Sequence, residues 1–207
     1  MELGAVRRAR TRARVIAGAF ELFGEEDGLH ARIEDVAQRA GITRATFYDH
    51  FSGMAELRDA VTYEVTHDFL TAVSEALARL PDPRERISAA IRFYLHRVRA
   101  VPGWGRSLIN LSANGIIFGA ETFREAEQTV ANAIAAGQLT ITDAALGRDA
   151  ILGTTIAAIS TMLREERGAA YPEEIVAVIL LGLGVRAEDA GEIAARPLPE
   201  LIFASTE

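Results

Sequence analysis

The chain has 207 residues, a hydrophobic fraction of 49%, 6 prolines and a formal net charge of -7. This length and composition suffice for one or two folded domains and exclude an intrinsically disordered chain. All 22 basic residues are arginine and cysteine is absent, which excludes a Schiff-base or Walker-A lysine, a thiol nucleophile, a disulfide and a cysteine-ligated zinc site.

The first predicted helix begins in an arginine-rich segment. Five arginines fall between Arg7 and Arg14, whereas residues 61–207 carry thirteen arginines and nineteen acidic residues. A local basic tip on an acidic body is one way to present a single surface to phosphate. The alternative is an ordinary solvated helix end.

No segment of the sequence predicts membrane insertion. The apolar run after the first arginines is too short for a signal peptide, and the apolar stretch at 175–185 is too short to span a bilayer. We therefore expect a cytoplasmic protein with no membrane partner.

Three helices are predicted in the first 53 residues. Apolar spacing predicts a helix over about 5–24 and a second over 33–40 that ends at Gly41. A short third helix over 44–50 follows if Thr43 provides the N-cap. Two helices joined by a glycine turn form a helix-turn-helix, whose buried face would be Ile42, Phe47 and Phe51.

The remainder predicts long helices, and the fold class is all-α. No alternating strand pattern is present. Residues 103–119 are rich in glycine and asparagine, which predicts shorter or broken helix there, and no element is assigned after 185. The other helices are predicted over 54–80, from the break at 81–83 to Pro102, over 120–137, from about 143 to 167, and over 172–185.

The outward face of the third helix suits the major groove of DNA. It presents Arg44, Ala45, Thr46 and Tyr48, with His50 near its end. Arginine pairs with guanine, small methyl groups contact thymine, and tyrosine or histidine can bind phosphate. The alternative is a capped helix with no ligand.

The segment IEDVAQRAGITRATFYDHF (33–51) resembles the DNA-binding signature of the TetR family of transcriptional regulators. The preceding AGAFELFGEEDG is similar to that family's first helix and loop. About 50 residues carry the sequence resemblance, and the remainder is similar only in length and helical layout. The resemblance implies a helix-turn-helix DNA-binding domain over 1–53 and a larger helical ligand-binding and dimerisation domain over 54–207.

The resemblance also implies roles for individual residues. Thr43 would cap the recognition helix; Arg44, Ala45 and Thr46 would face base edges; Tyr48 and His50 would bind phosphates. The chain departs from the family's pattern at three places. Ala31 and Arg32 replace a common threonine pair, so that Arg32 would reach the phosphate instead; Met54 replaces a lysine; and the loop glycine is shifted to Gly28.

An effector pocket is expected among the middle helices, because the fourth helix links them to the DNA-binding domain. The candidates are aromatic walls and two amides four residues apart, which could orient a ligand. Most of them could equally be core. The candidate ligand-binding residues are His67, Phe69, Phe93, Trp104, Asn110, Asn114, Phe118 and Met162.

No motif supports catalysis or a bound metal. The four histidines lack metal-ligand spacing, and no serine-nucleophile motif is present. GLGVRA (182–187) imitates a dinucleotide-binding turn but lacks the βαβ unit that such a turn needs. We expect no catalytic residue, no metal and no cofactor.

The helices at 143–167 and 172–185 are too apolar for a solvated surface. The resemblance implies that they pair with a second subunit, which would place two recognition helices on a palindromic operator; internal packing is the alternative. The sequence thus predicts a TetR-like homodimeric regulator, most simply a repressor that a small molecule releases from double-stranded DNA. The alternative function is a helical small-molecule binding protein with a weakened DNA-binding domain.

Overall fold

The computed structural model describes residues 2–112 and 118–203, without the side chains of residues 2, 3, 65 and 66. The described residues contain α-helices and one 3₁₀ turn, Gly28–His30, and no strand, so the predicted all-α class is confirmed. The helices in chain order are α1 (Glu2–Phe23), α2 (Ile33–Ala40), α3 (Arg44–Tyr48), α4 (Met54–Ala78), α5 (Pro83–Ala100), α6 (Pro102–Ser112), α7 (Gly119–Ala135), α8 (Ala144–Arg164), α9 (Tyr171–Gly182) and α10 (Ala187–Ala195).

Helix starts follow local capping chemistry. The Asp82 carboxylate accepts a hydrogen bond from the Arg84 N–H at 2.9 Å, at the start of α5. The Asp143 carboxylate accepts from the N–H groups of Ala145 and Leu146, which begins α8 where the sequence predicts. These side chains satisfy amides that lack an intrahelical partner.

The tenth helix was missed by the sequence pattern. Its alanine-rich sequence gives little apolar periodicity, yet Ala190, Ile193 and Ala194 are buried against α9 and α5. The Ser88 hydroxyl of α5 also donates to the Ile193 carbonyl. Tertiary packing therefore stabilises a helix that the sequence barely signals.

Buried side chains form two clusters. The smaller cluster joins α1, α2 and α3 to the first two turns of α4, and includes Phe23, Phe47 and Leu57. The larger cluster extends from Phe69 in α4 through α5–α10. Because α4 contributes to both clusters, it physically joins the N-terminal three-helix unit, called the head below, to the remaining helices, called the body.

A second bridge between head and body is α6. Leu111 of α6 packs in the head cluster, and the Asn110 side-chain amide donates to the Phe23 carbonyl at 2.8 Å. Gly28 lies at this junction, where a Cβ would come within 2.4 Å of the Leu22 carbonyl oxygen. The chain can turn this closely under α1 only because residue 28 is glycine.

Candidate DNA-binding surface and effector cavity

The short helix α3 is fixed by a cap and by buried aromatic rings. The Thr43 hydroxyl accepts a hydrogen bond from the Thr46 N–H at 3.1 Å, which is the predicted cap. Gly41 adopts a left-handed conformation with φ of 63°, as the tight turn from α2 requires. Phe47 and Phe51 are fully buried beneath α3, so the opposite face of the helix points outward.

That outward face bears the predicted DNA-contacting residues. Arg44, Ala45 and Tyr48 are exposed, although tyrosine is large and apolar enough to favour burial. Thr46 and His50 are partly buried at its edges. The Tyr48 ring stands edge-on to the Phe47 ring at 5.6 Å, which holds the phenol above the surface.

Arg44 has an acidic partner in the free protein. Its guanidinium forms an ion pair with Glu34 of α2 and a long hydrogen bond, 3.4 Å, to the Tyr48 hydroxyl. The hydrogen bond to Tyr48, together with the charge of Glu34, raises the pKa of Arg44 above its ordinary value. These two contacts hold the guanidinium between Glu34 and Tyr48 at the head surface.

The arginine run of α1 lies beside the start of α3. Arg7, Arg10 and Arg14 line one shallow depression together with Thr43 and Thr46. Arg14 donates to the Gly41 carbonyl at 3.2 Å and also to that of Ala40, so it braces the turn. The sequence predicts this run to be a basic tip, but none of its members is among the predicted DNA contacts.

Two further arginines of α1 hold the head together. The Arg8 guanidinium donates to the Asp49 carbonyl at 2.8 Å, and that of Arg12 lies 3.5 Å from the Glu64 carboxylate and over the Phe51 ring. Among the described residues, no side chain pairs with the guanidinium of Arg7 or Arg10. The basic tip thus contains both structural arginines and arginines available to phosphate.

Arg32 precedes α2 with its side chain exposed. Its main-chain N–H donates to the Asp35 carboxylate at 2.8 Å. This carboxylate supplies the reciprocal half of a capping box, in which the third helical residue accepts from the N–H of the N-cap residue. The sequence pattern did not predict that role for Asp35. The Arg32 guanidinium remains at the head surface.

A cavity of about 420 Å³ lies between α4, α6 and the start of α7. Of the predicted ligand-binding residues, His67 and Phe118 line it. Its lining combines apolar side chains with charged ones. The other lining residues are Arg58, Asp59, Thr62, Tyr63, Leu70, Leu108, Leu111, Ser112, Gly119, Ala120, Glu121 and Arg124.

The remaining predicted ligand residues lie elsewhere. Phe69, Phe93 and Trp104 are buried in the larger core cluster, and the Asn110 amide bonds the main chain of Phe23. Met162 lines a separate pocket of about 390 Å³ beside Pro102 and Arg106. Asn114 lies outside the described residues.

An aromatic cluster connects the cavity wall to the core. The Tyr94 ring lies 4.9 Å from the Phe118 ring and 5.8 Å from the Trp104 ring. Burial raises the pKa of the Tyr94 phenol well above its ordinary value. The indole N–H of Trp104 is buried without a hydrogen-bond partner in the described part of the chain, which leaves one unsatisfied donor a ring away from the cavity wall.

The described residues contain no group of three histidines or carboxylates placed to hold a metal ion. Within the same ranges, no helix combines the length and apolarity needed to cross a membrane.

The head has three helices, one of them short and exposed, and α4 joins it to a body with a cavity. This architecture defines a class of helix-turn-helix regulators with a ligand-binding domain. Residues 15–61 match the family model described as bacterial regulatory proteins of the tetR family. Residues 82–196, more than half of the chain, match that of the tetracyclin repressor-like C-terminal domain. The chain belongs to the TetR family of transcriptional regulators.

Curated relatives match over part of their length. The chain is 30% identical over 87 residues to the HTH-type transcriptional activator FasR of Mycolicibacterium smegmatis, which is 42% of this chain and 40% of that protein. It is 37% identical over 68 residues to the HTH-type transcriptional regulator TtgR of Pseudomonas putida, 32% of each chain. The matched region thus spans less than half of either relative.

Solved structures match over nearly the whole chain. RolR in complex with resorcinol is 26% identical with a TM-score of 0.68, covering 96% of this chain and 100% of that one. RolR without ligand is 28% identical with a TM-score of 0.73, covering 92% and 100%. FadR of Bacillus subtilis in complex with stearoyl-CoA, at 17% identity and a TM-score of 0.65 over 83% and 97%, shares the fold.

Proposed function

We propose that the protein is a cytoplasmic, homodimeric repressor that binds a palindromic operator through α3 and leaves it when a small molecule occupies the cavity. The observation that carries the proposal is the course of α4. This helix begins in the head cluster with Leu57 and lines the cavity with Tyr63 and His67. Occupancy of the cavity can therefore reach the DNA-binding surface through one continuous helix.

The DNA-binding role is assigned to the outward face of the head. Arg44, Ala45 and Thr46 would contact base edges, while Tyr48, His50 and Arg32 would contact phosphates. Arg7 and Arg10 would add phosphate contacts, since they lie beside α3 and have no partner in the described residues. Thr43 would hold α3 in position.

The two-domain division near residue 53 is supported by the two hydrophobic clusters. The smaller cluster extends past that point to Leu57 and Val61, so the start of α4 would move with the head. A domain boundary drawn from the hydrophobic clusters therefore lies a few residues after one drawn from the loop before α4.

Dimerisation is assigned to α8 and α9. Leu146 and Val178 are each 61% exposed, and Leu181 is 46% exposed, an apolar surface that a second subunit would cover. Val178→Glu should convert a dimer to a monomer in analytical ultracentrifugation. Val101→Glu, at an exposed apolar site between α5 and α6, is the matched control and should leave the dimer intact.

The effector is assigned to the class of small hydroxylated aromatic compounds. The cavity of about 420 Å³ is in the size range of small-molecule sites, and its Tyr63–His67 wall is a stacked pair with ring centroids 4.8 Å apart. Because the similar protein RolR was solved in complex with resorcinol, resorcinol is the first compound to test.

The deciding experiment is selection of the purified protein against random duplex DNA at near-physiological salt, with Tyr48→Ala beside it. An enriched palindrome that the variant loses would support the proposal and supply an operator for effector screening. If no duplex is enriched while resorcinol or a related phenol binds, the chain is instead a small-molecule binding protein. If the protein raised transcription from its operator in a reporter assay, it would be an activator and the proposed sign of regulation would be reversed.

A further inference from the structure

The cavity and the head meet at one charged side chain. Arg58, in the second turn of α4, lines the cavity beside Asp59 and Thr62. It is half-buried, and it lies on α4 between Leu57 and Val61, the two α4 residues that are fully buried in the head cluster.

The guanidinium of Arg58 ties three elements together through main-chain oxygens. One Nη donates to the Asn110 carbonyl of α6 at 3.0 Å, and the other Nη donates to the Leu29 carbonyl of the 3₁₀ turn at 3.0 Å. Its carbon lies 4.6 Å from the centre of the Phe23 ring at the end of α1. One side chain thus links α4, α6 and the segment that enters α2.

The charge of Arg58 is not neutralised by a carboxylate. In residues 2–112 and 118–203, the guanidinium makes these two hydrogen bonds and the ring contact, and it forms no ion pair with a carboxylate. Burial accordingly lowers the pKa of this guanidinium from its ordinary value, although arginine stays protonated at neutral pH. A half-buried cation held only by neutral carbonyls is a favourable partner for an incoming anion, since charge-assisted hydrogen bonds are the stronger ones.

We propose that Arg58 couples the cavity to the DNA-binding head, and that the effector carries a carboxylate that draws the guanidinium away from the Leu29 carbonyl. This inference rests on the proposed function of the cavity as the effector site. Loss of the bond to Leu29 frees the segment between α1 and α2, and the head changes its orientation on α4. The Asn110 bond is made to α6, a wall of the cavity, so it is retained.

The test compares two meta-substituted phenols, resorcinol and 3-hydroxybenzoate, which differ in that one hydroxyl is replaced by a carboxylate. Wild-type protein should bind 3-hydroxybenzoate about tenfold more tightly than resorcinol, the effect of one charge-assisted hydrogen bond. The carboxylate probe should also increase amide hydrogen exchange in residues 24–31 and weaken operator binding about tenfold or more.

Two variants separate the charge of Arg58 from its bridging geometry. Arg58→Gln should lose the preference for the carboxylate probe, and the probe should no longer change operator affinity. Arg58→Lys should keep that preference, since the charge remains, but show raised exchange in residues 24–31 without any probe, since one ammonium cannot hold both carbonyls as the planar fork does. Arg106→Gln removes an arginine of α6 outside the cavity and should resemble wild type.

Each part of the inference has its own contrary result. Equal affinity of the wild type for the two probes would overturn the anionic effector class. An operator response to the probe that persists in Arg58→Gln would overturn the coupling role. Unchanged hydrogen exchange in residues 24–31 in both Arg58 variants would also overturn the coupling role, and this measurement does not require operator binding. Failure of the wild type to bind any operator would instead overturn the proposed function itself.

Discussion

The outward face of α3, to which we assign DNA binding, and the cavity use their side chains in opposite ways. On α3 the chemically important groups, Arg44 and Tyr48, are exposed and held by a few short-range contacts. Around the cavity, Arg58 is bound to main-chain atoms 29 and 52 residues away in sequence. A surface built from neighbouring residues can be recognised in a short segment of sequence, whereas a cavity built from distant segments cannot.

Among the changes that would test the difference between head and body, Phe47→Ala is expected to have the largest effect on stability. Phe47 is fully buried in the head cluster, and loss of such a ring should destabilise the head by about 3–5 kcal/mol. DNA binding should be lost. The single tryptophan, Trp104, lies in the body core, so its fluorescence should still report a folded body at temperatures where far-UV circular dichroism shows loss of head helices. A joint shift of both signals would show that head and body unfold as one unit.

Arg44→Ala tests whether the outward face of α3 reads bases. We expect a changed base preference at one position of each half-site and a loss of about 1–3 kcal/mol in operator binding, measured by selection and by fluorescence anisotropy. Arg186→Ala is the control, because Arg186 is also an exposed arginine beside a glutamate, 3.8 Å away. The same base preference in Arg44→Ala and wild type would place the reading surface elsewhere.

A smaller effect is expected from Glu34→Gln. This change releases Arg44 from its acidic partner and removes a negative charge from the surface assigned to DNA. Since an exposed ion pair contributes little, operator affinity should rise only by about two- to fivefold in the same anisotropy assay. Glu188→Gln, which neutralises an exposed glutamate on α10 near Arg186, should leave affinity unchanged. Weaker DNA binding by Glu34→Gln would mean that the pair positions Arg44 for binding.

The smallest expected effect concerns the pH dependence of the body. Burial lowers the pKa of His96 below 6.5, against the opposing charge of Glu173. A histidine whose folded-state pKa is lowered contributes stability that is complete above about pH 6.5 and is lost as pH falls through the folded-state value. Thermal melts followed by Trp104 fluorescence should show a steeper fall in Tm from pH 7 to 5 for wild type than for His96→Gln. Parallel falls would assign the pH dependence to other groups.

Much of the head could be predicted from the sequence because its determinants are local. Thr43 caps the Thr46 amide three residues away, and Gly41 takes the left-handed turn directly after α2. The start of α8 at Asp143 and the all-α class follow from equally short patterns. The bond from the Arg32 N–H back to the Asp35 carboxylate was not predicted, because an acidic residue in the first turn of a helix is common whether or not it accepts such a bond.

The cavity could be predicted only in part. His67 and Phe118 line it, whereas Phe93, Trp104 and Asn110 point to the core or to the main chain of α1. Aromatic and amide residues serve as packing or as ligand contacts with the same sequence pattern, and their surroundings decide which. Arg58 had no distinguishing signal at all, since an arginine in the second turn of a helix is ordinarily solvated.

The sequence by itself determined the helical class, the short capped helix with its outward arginine and tyrosine, and the family resemblance, because capping, turn chemistry and apolar spacing act within a few residues. Only the tertiary structure decided that α10 forms, that α6 closes against the end of α1, and that Arg58 lies between the cavity and the Leu29 carbonyl. Those features depend on contacts between segments far apart in the chain, whose meeting is set by how the whole core packs.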